Sequence, residues 1–165
     1  MQIAETRYDN RTTGCCAPLD RAYWDGKLFH WQDQLFLKDH VRELLHIPLD
    51  FGAVMKRDAE AIDQASAWPE HPFTLSDERS AWGADLYTAV DREVPGGQMA
   101  RLSGTFMTRA YQGPFSDISR WIADMKAHVA ETGHTLDRLY FYYATCPKCA
   151  KKLGRNEVVL FARVL

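Results

Sequence analysis

Two amphipathic segments of similar pattern constrain the fold of this chain more than any other feature. In the first segment, between Pro48 and Pro69, the apolar residues that recur at helical spacing are Phe51, Val54, Met55, Ile62 and Ala65. In the second segment, which ends at Gly133, they are Phe115, Ile118, Trp121, Ile122, Met125 and Val129. A shift of 67 positions places Phe51 on Ile118 and Ile62 on Val129. The sequence therefore predicts two copies of one unit, each built around one helix.

Extended segments flank both helices in the same order. Strand patterns are predicted at residues 34–46, 73–76 and 83–90 in the first half, and at 99–111, 139–143 and 158–165 in the second. Two such units can pair their strands into one antiparallel sheet that carries both helices on one face. We therefore expect an α+β fold of two pseudo-twofold β-α-β-β modules, at about 34–92 and 98–165, with a ligand groove between them.

Charge and hydropathy exclude several classes of protein. The chain has 165 residues with a net charge of −2, so it is not a basic nucleic-acid-binding protein. No apolar stretch approaches the roughly 20 residues of a membrane-spanning helix. The first residues are polar and lack the pattern of a secretory signal, which predicts a cytoplasmic protein. Residues 1–21 show no sustained period and are expected to form an N-terminal arm before a single domain at 22–165.

The four cysteines occur as two close pairs, Cys15-Cys16 and Cys146-x-x-Cys149. The second pair resembles half of a structural zinc site, whose other ligands would be Cys15 and Cys16 or a histidine. A complete site normally shows a second spaced pair, so we predict no metal and no cofactor, with zinc at Cys146 and Cys149 as the alternative. A thioredoxin-type motif begins a helix after a parallel strand, whereas this one is expected in a hairpin loop, so redox chemistry is not predicted.

One predicted strand is filled with aromatic residues, Tyr140-Phe141-Tyr142-Tyr143. Strand alternation sends Tyr140 and Tyr142 to one face of the sheet, and Phe141 and Tyr143 to the other. One of these faces can pack on the helices. Because each phenol needs a hydrogen-bond partner, the wall of a ligand pocket suits the tyrosines better than a dry core, although ordinary core aromatics remain the alternative.

Two further local patterns are compatible with chemistry. Tyr111 precedes Gly113-Pro114-Phe115, where proline preorganises a helix start whose N–H groups favour an anionic ligand atom. By itself, this pattern favours a plain strand-to-helix turn over a ligand site. Asp77-Glu78 ends a predicted strand, where one carboxylate could orient water or act as a general base, the alternative being solvated turn charges. The histidines show no metal-binding spacing, and no nucleotide-binding loop or serine-hydrolase motif is present.

Five segments, together with the duplicated order, resemble one known family. They are WGADLY (82–87), VPGG (94–97), LSGTF (102–106), GPF (113–115) and LYFYYATCPKCAKK (139–152). Over residues 22–165 the chain is similar to the GyrI-like small-molecule-binding family, and more narrowly to its cyclopropanoid cyclopropyl hydrolase branch. The stretch around Cys146 is the part that resembles this branch in particular.

The resemblance implies an aromatic cage in which water opens the cyclopropane ring of DNA-alkylating natural products of the yatakemycin and CC-1065 type. The biological role would be self-protection, which is a form of antibiotic resistance, or xenobiotic detoxification. Many relatives bind cationic drugs through a glutamate on the strand after the second helix. The corresponding position here belongs to Tyr140-Phe141-Tyr142, so a phenol replaces the acid. A neutral, flat, hydrophobic polyaromatic partner is therefore expected, without direct binding of nucleic acid or membrane.

The expected roles follow from this cage. Tyr140 and Tyr142 are predicted to be catalytic hydrogen-bond donors and cage residues, and Asp77 or Glu78 is predicted to orient the attacking water. The predicted walls are Trp82, Phe106, Tyr111 and Phe115. Two other functions fit the same sequence, a binding protein that sequesters drugs without turnover and a module that binds a protein target in the manner of gyrase inhibitors. No protein partner is assigned.

Overall fold

The computed structural model describes residues 19–44, 47–79, 81–145 and 147–165. In this part of the chain the helices are α1 (Arg21–Trp24), α2 (Phe51–Ala65), α3 (Ile118–Glu131) and α4 (Pro147–Leu153), with a 3-10 turn at Phe115–Asp117. The strands are β1 (Leu28–Leu44), β2 (Ile47–Pro48), β3 (Thr74–Asp77), β4 (Gly83–Ala89), β5 (Gln98–Gly113), β6 (Leu136–Tyr143) and β7 (Asn156–Val164). None of the helices described is long and apolar enough to cross a membrane.

The chain divides into two compact units. The central unit is Gln32–Ser103, and the terminal unit is Gly104–Leu165 together with the described residues up to Trp31. The central unit contains β1 from Gln32 onward with α2, β3 and β4, and the terminal unit contains β5 from Gly104 onward with α3, β6 and β7. The predicted α+β class and the duplicated β-α-β-β order are therefore confirmed.

In the central unit, the strands pair in the order β2-β1-β4-β3, and all three pairings are antiparallel. Helix α2 buries Val54 and Ile62 against the sheet, as its helical spacing predicts. The helix ends at Ser66, whose positive φ of 50° closes the last turn. The periodicity of the sequence therefore located this helix correctly.

In the terminal unit, β7 lies between β6 and β5, and both pairings are antiparallel. Helix α3 packs Trp121, Met125 and Val129 on one face of this sheet. The strand residues under the helix include Val158, Leu160 and Ala162 of β7. These apolar contacts form the core of the unit.

Several predicted boundaries differ from the structure. β1 begins at Leu28, six positions before the predicted start, and the loop predicted around Cys149 is the helix α4. Pro147 suits the first position of a helix, and Gly154, with a φ of 74°, suits the residue after its end, which explains why this short segment becomes helical. The Cys149 thiol is buried within α4. Residues 1–18, including Cys15 and Cys16, and residue Cys146 lie outside the described residues.

Candidate functional site

The two faces of the terminal sheet carry different sets of side chains. Tyr140 lies opposite Phe161, and Tyr142 lies opposite Val159, so these residues share one face. Phe141 and Tyr143 pack on the other face with the core beneath α3. The alternation predicted for this strand is therefore confirmed.

The face of Tyr140 and Tyr142 is covered with aromatic rings, which we call the aromatic cluster. Its sheet residues are Phe106, Tyr140, Tyr142 and Phe161, and its covering residues are Tyr23, Trp24, Phe29 and Trp31. Ring centroids lie 4.4 Å apart for Trp31 and Phe106, and 5.7 Å apart for Trp24 and Tyr142. Tilted and edge-to-face pairs at these distances are the favourable geometries for aromatic rings.

The covering residues are held by hydrogen bonds between the turn after α1 and strand β5. The Gly26 N–H donates to the Thr108 carbonyl at 3.1 Å, and the Thr108 N–H donates to the Lys27 carbonyl at 3.0 Å. The Thr108 hydroxyl donates to the carbonyl of Trp24, and the Ala110 N–H donates to Asp25 Oδ1 at 2.8 Å. Gly26 has a φ of 64°, which the turn requires. The backbone around Trp24 is therefore tied to the sheet.

Exposure separates the centre of the aromatic cluster from its margin. Tyr140 is only 1% exposed, and Phe106 and Phe161 are also buried. Tyr142, Phe29 and Trp31 are half-buried. Of the sequence-predicted site residues on this face, Tyr142 is therefore the one that solvent or a small molecule can reach.

Two of the predicted walls lie on the opposite face of the terminal sheet. Tyr111 stacks on Trp121 at 5.7 Å, and its hydroxyl donates to Asp124 Oδ2 at 2.7 Å. Burial, and then the hydrogen bond to Asp124, raise the pKa of Tyr111 well above its ordinary value. Phe115 is half-exposed beside Tyr143, at 6.0 Å between ring centroids. The structure therefore does not place Tyr111 and Phe115 on the face of Tyr140 and Tyr142.

The remaining predicted site residues belong to the central unit. Asp77 is buried at the end of β3, and its Oδ1 lies 3.0 Å from Arg79 Nε. Glu78 follows it and is half-buried, while Trp82 is 65% exposed. Across the pairing of β3 with β4, Asp77 lies opposite Asp85, which contacts His40 Nδ1 at 3.0 Å. Of the two carboxylates predicted to orient water, the side chain of Glu78 is the more accessible.

A carboxylate that sequence reasoning missed lies on the face of the aromatic cluster. Glu157 of β7 is 7% exposed, and alternation places it on the same face as Val159 and Phe161. Gln112 Nε2 donates to its Oε1 at 3.2 Å, and Arg155 lies 3.3 Å from the same oxygen. The sequence contains a sign of this residue, since Glu157 directly precedes the apolar run Val158–Ala162 of β7.

A buried acid pair in the central unit was also missed. Asp58 of α2 lies against Asp39 of β1 and is 5% exposed. Burial, and then the hydrogen bond shared with Asp39, raise the pKa of Asp58 from 3.8 to about 7. Burial of Asp39 raises its pKa, but the hydrogen bonds from Asp58 and Arg57 outweigh this effect and hold the pKa of Asp39 below its usual value. The two carboxyl groups therefore share one proton near neutral pH.

The chemistry available at these sites is acid–base and aromatic. The part of the chain that the structure describes holds no group of three or more His, Cys, Asp or Glu residues that could bind a metal ion. The aromatic cluster offers flat apolar surfaces with the half-buried phenols of Tyr23 and Tyr142, and the side chain of Glu157, paired with Arg155, lies on the same face. Such a surface suits a flat, hydrophobic molecule with polar atoms at its edge.

Comparisons with known proteins identify the family of the chain and related folds. Residues 6–164 match the family model described as "Bacterial hydrolase". No curated protein matches the sequence significantly.

The fold is shared with several solved structures. A hydrolase from Listeria innocua has 13% identity and a TM-score of 0.63, over 88% of this chain and 96% of that one. The C-terminal domain of EcmrR has 11% identity and a TM-score of 0.58, over 86% and 98% of the two chains. SAV2435 bound to tetraphenylphosphonium has 8% identity and a TM-score of 0.53, over 86% and 94%. At these identities the likeness concerns the fold alone.

Proposed function

Since the chain belongs to the bacterial hydrolase family, we propose that it hydrolyses a flat, hydrophobic, polyaromatic small molecule bound against the aromatic cluster of the terminal unit. The observation that carries the proposal is the set of aromatic rings on one sheet face, with the half-buried Tyr142 at its margin. Large flat ligands bind such rings tightly because the contacts bury apolar area and because the ligand rings stack on the aromatic side chains.

The reaction we propose is opening of a cyclopropane ring, as the resemblance to the cyclopropanoid cyclopropyl hydrolases implies. In a cyclopropane conjugated to a dienone, the oxygen of water bonds to a ring carbon while a ring C–C bond breaks. The electron pair of that bond moves into the dienone, whose carbonyl oxygen takes up a proton and becomes a phenol. The water loses a proton, so the product is the substrate plus one water. The natural role that fits this reaction is self-protection or detoxification.

The side chains of the aromatic cluster suit this charge movement. The phenol of Tyr142 is proposed to donate a hydrogen bond to the carbonyl oxygen that gains electron density. Aromatic faces stabilise the partial positive charge on the ring carbon by ~0.5–2 kcal/mol per contact. Tyr140 is proposed to support the cluster from within, because it is buried between its neighbours. Asp77 and Glu78 belong to the central unit, and their role in orienting water stays a prediction from the sequence.

A turnover experiment tests the proposal. Purified protein is incubated with a large excess of a cyclopropane-bearing duocarmycin-type compound, and the ring-opened product is followed by mass spectrometry. We expect many product molecules per protein, each heavier by one water. Binding without a change in mass would instead identify a sequestering protein, and the absence of binding would overturn both functions.

Sequestration without turnover is the second candidate function. The observation that favours it is the aromatic cluster itself, since such rings can hold an aromatic molecule without any catalytic group. SAV2435, which shares the fold, is bound to the aromatic cation tetraphenylphosphonium. The mass measurement separates this function from hydrolysis.

Substitution of Tyr142 tests the role of its phenol. Tyr142→Phe keeps the ring contact with Trp24, so we expect binding to weaken by less than about tenfold, while turnover falls about 100-fold because the donor is lost. Tyr142→Ala removes the ring as well, and we expect binding to weaken by about 30-fold or more. Tyr143→Phe, on the opposite sheet face, is the matched control and should keep the parental rate. Parental rates in both Tyr142 variants would place the site elsewhere.

A further inference from the structure

Glu157 occupies a particular place on the face of the aromatic cluster. Tyr142 lies opposite Val159 in the pairing of β6 with β7, and Glu157 precedes Val159 by two residues. Glu157 is therefore the diagonal neighbour of Tyr142 on the same face, at about 7–8 Å between Cα atoms. Its Oε1 accepts from Gln112 of β5, which lies on the other side of β7 from β6.

The position of Glu157 is fixed from several sides. Its backbone N–H donates to Thr145 Oγ1 at 3.1 Å, and its strand pairs with Gln112 of β5. The side chains of Gln112 and Arg155 both contact Oε1, at 3.2 and 3.3 Å. These contacts orient the carboxylate before any molecule binds.

The hydrogen bonding of the carboxylate is one-sided. Both side-chain contacts that the described residues make to Glu157 end on Oε1, and neither reaches Oε2. A buried carboxylate that serves only the fold gains most when both oxygens are paired, because its desolvation is costly. Among the described residues, the side-chain contacts therefore leave the second oxygen of Glu157 without a partner.

We propose that Glu157 is a catalytic residue, the general base that takes the proton from the attacking water. This inference rests on the proposed hydrolysis. As the oxygen of water bonds to the ring carbon, Oε2 accepts one proton from that water, and the ring C–C electron pair moves into the dienone. The dienone oxygen takes a proton from solvent, and Glu157 returns its own proton to solvent after the product leaves. The proton and electron transfers of this proposed reaction balance without a cofactor.

Kinetics of two Glu157 variants test the proposal with a cyclopropane-bearing duocarmycin-type compound. Glu157→Gln keeps an acceptor for Gln112, so we expect affinity within about threefold of the parent, while kcat falls about 100-fold. For Glu157→Ala we expect added formate, which restores a carboxylate in the space left by the side chain, to raise kcat about tenfold or more. A purely structural role would not produce rescue by formate. Glu131→Gln at the exposed end of α3 is the matched control and should keep the parental kcat.

Binding, measured by quenching of tryptophan fluorescence with the same compound, separates the possible failures. If the parent turns over and Glu157→Gln has the same kcat, the role of Glu157 would be overturned, and the proposed hydrolysis would be unaffected. A large loss of affinity with an unchanged kcat would make Glu157 a recognition group and would also overturn the proposal. Binding by the parent without turnover would overturn the hydrolase and, with it, this inference.

Discussion

Replacing Trp24 by alanine should lower the free energy of unfolding by about 3–5 kcal/mol. The indole is 4% exposed and lies at the centre of the covering residues. Its centroid is 5.6 Å from the ring of Phe161 and 5.7 Å from that of Tyr142, and both contacts are edge-to-face. The Trp24 backbone is tied to β5, so the neighbours cannot collapse fully into the space the indole leaves. Urea unfolding followed by far-ultraviolet circular dichroism measures the loss.

The matched control for this experiment is Trp82→Ala. Trp82 is 65% exposed in the central unit, so we expect its removal to change stability by less than about 0.5 kcal/mol. A loss below about 1 kcal/mol for Trp24→Ala would contradict a core role for the covering residues. Trp24→Phe keeps an aromatic edge toward Tyr142 and should recover part of the lost stability.

The second large effect concerns the acid pair, and it depends on pH. Because the pKa of Asp58 is raised from 3.8 to about 7, the folded protein binds one more proton than the unfolded chain between these values. The stability that this proton contributes is fully present below about pH 4 and is lost as the pH rises through 7. We expect a loss of about 3 kcal/mol between pH 5 and pH 8. The lowered pKa of Asp39 acts in the opposite sense and only at lower pH.

Two substitutions of Asp58 check this expectation. Asp58→Asn keeps a donor toward Asp39 and removes the titration, so its stability should change little between pH 5 and pH 8. Asp58→Met places in α2 the residue that α3 has at the corresponding buried position, Met125, and should likewise abolish the change in stability between pH 5 and pH 8. Glu60→Gln, exposed on the same helix, is the control that should keep the parental slope. A parental stability that is flat over this pH range would refute the shared proton.

Some features of the candidate site could be predicted from the residue pattern of one strand or helix, and others depend on the tertiary structure. The alternation of Tyr140 and Tyr142 against Phe141 and Tyr143 was predictable, since it follows from the geometry of a single strand. The separation of Tyr111 from these tyrosines was not, because it depends on the register of β5 against β7. Likewise, helical spacing places Asp58 between Val54 and Ile62 on the buried stripe of α2. Its partner Asp39, on a different element, is what allows a carboxyl group there.

The sequence by itself determined the α+β class, the duplicated β-α-β-β order and the position of α2, because each of these follows from the spacing of apolar residues along one element. It missed α4, whose short segment between Pro147 and Gly154 carries too few residues for a period to appear. Only the tertiary structure decided that Trp24 covers the tyrosine face, that Glu157 joins it, and that Asp58 meets Asp39. These contacts join residues far apart in the chain, and strand register and helix packing select them from many pairs that the local pattern allows equally.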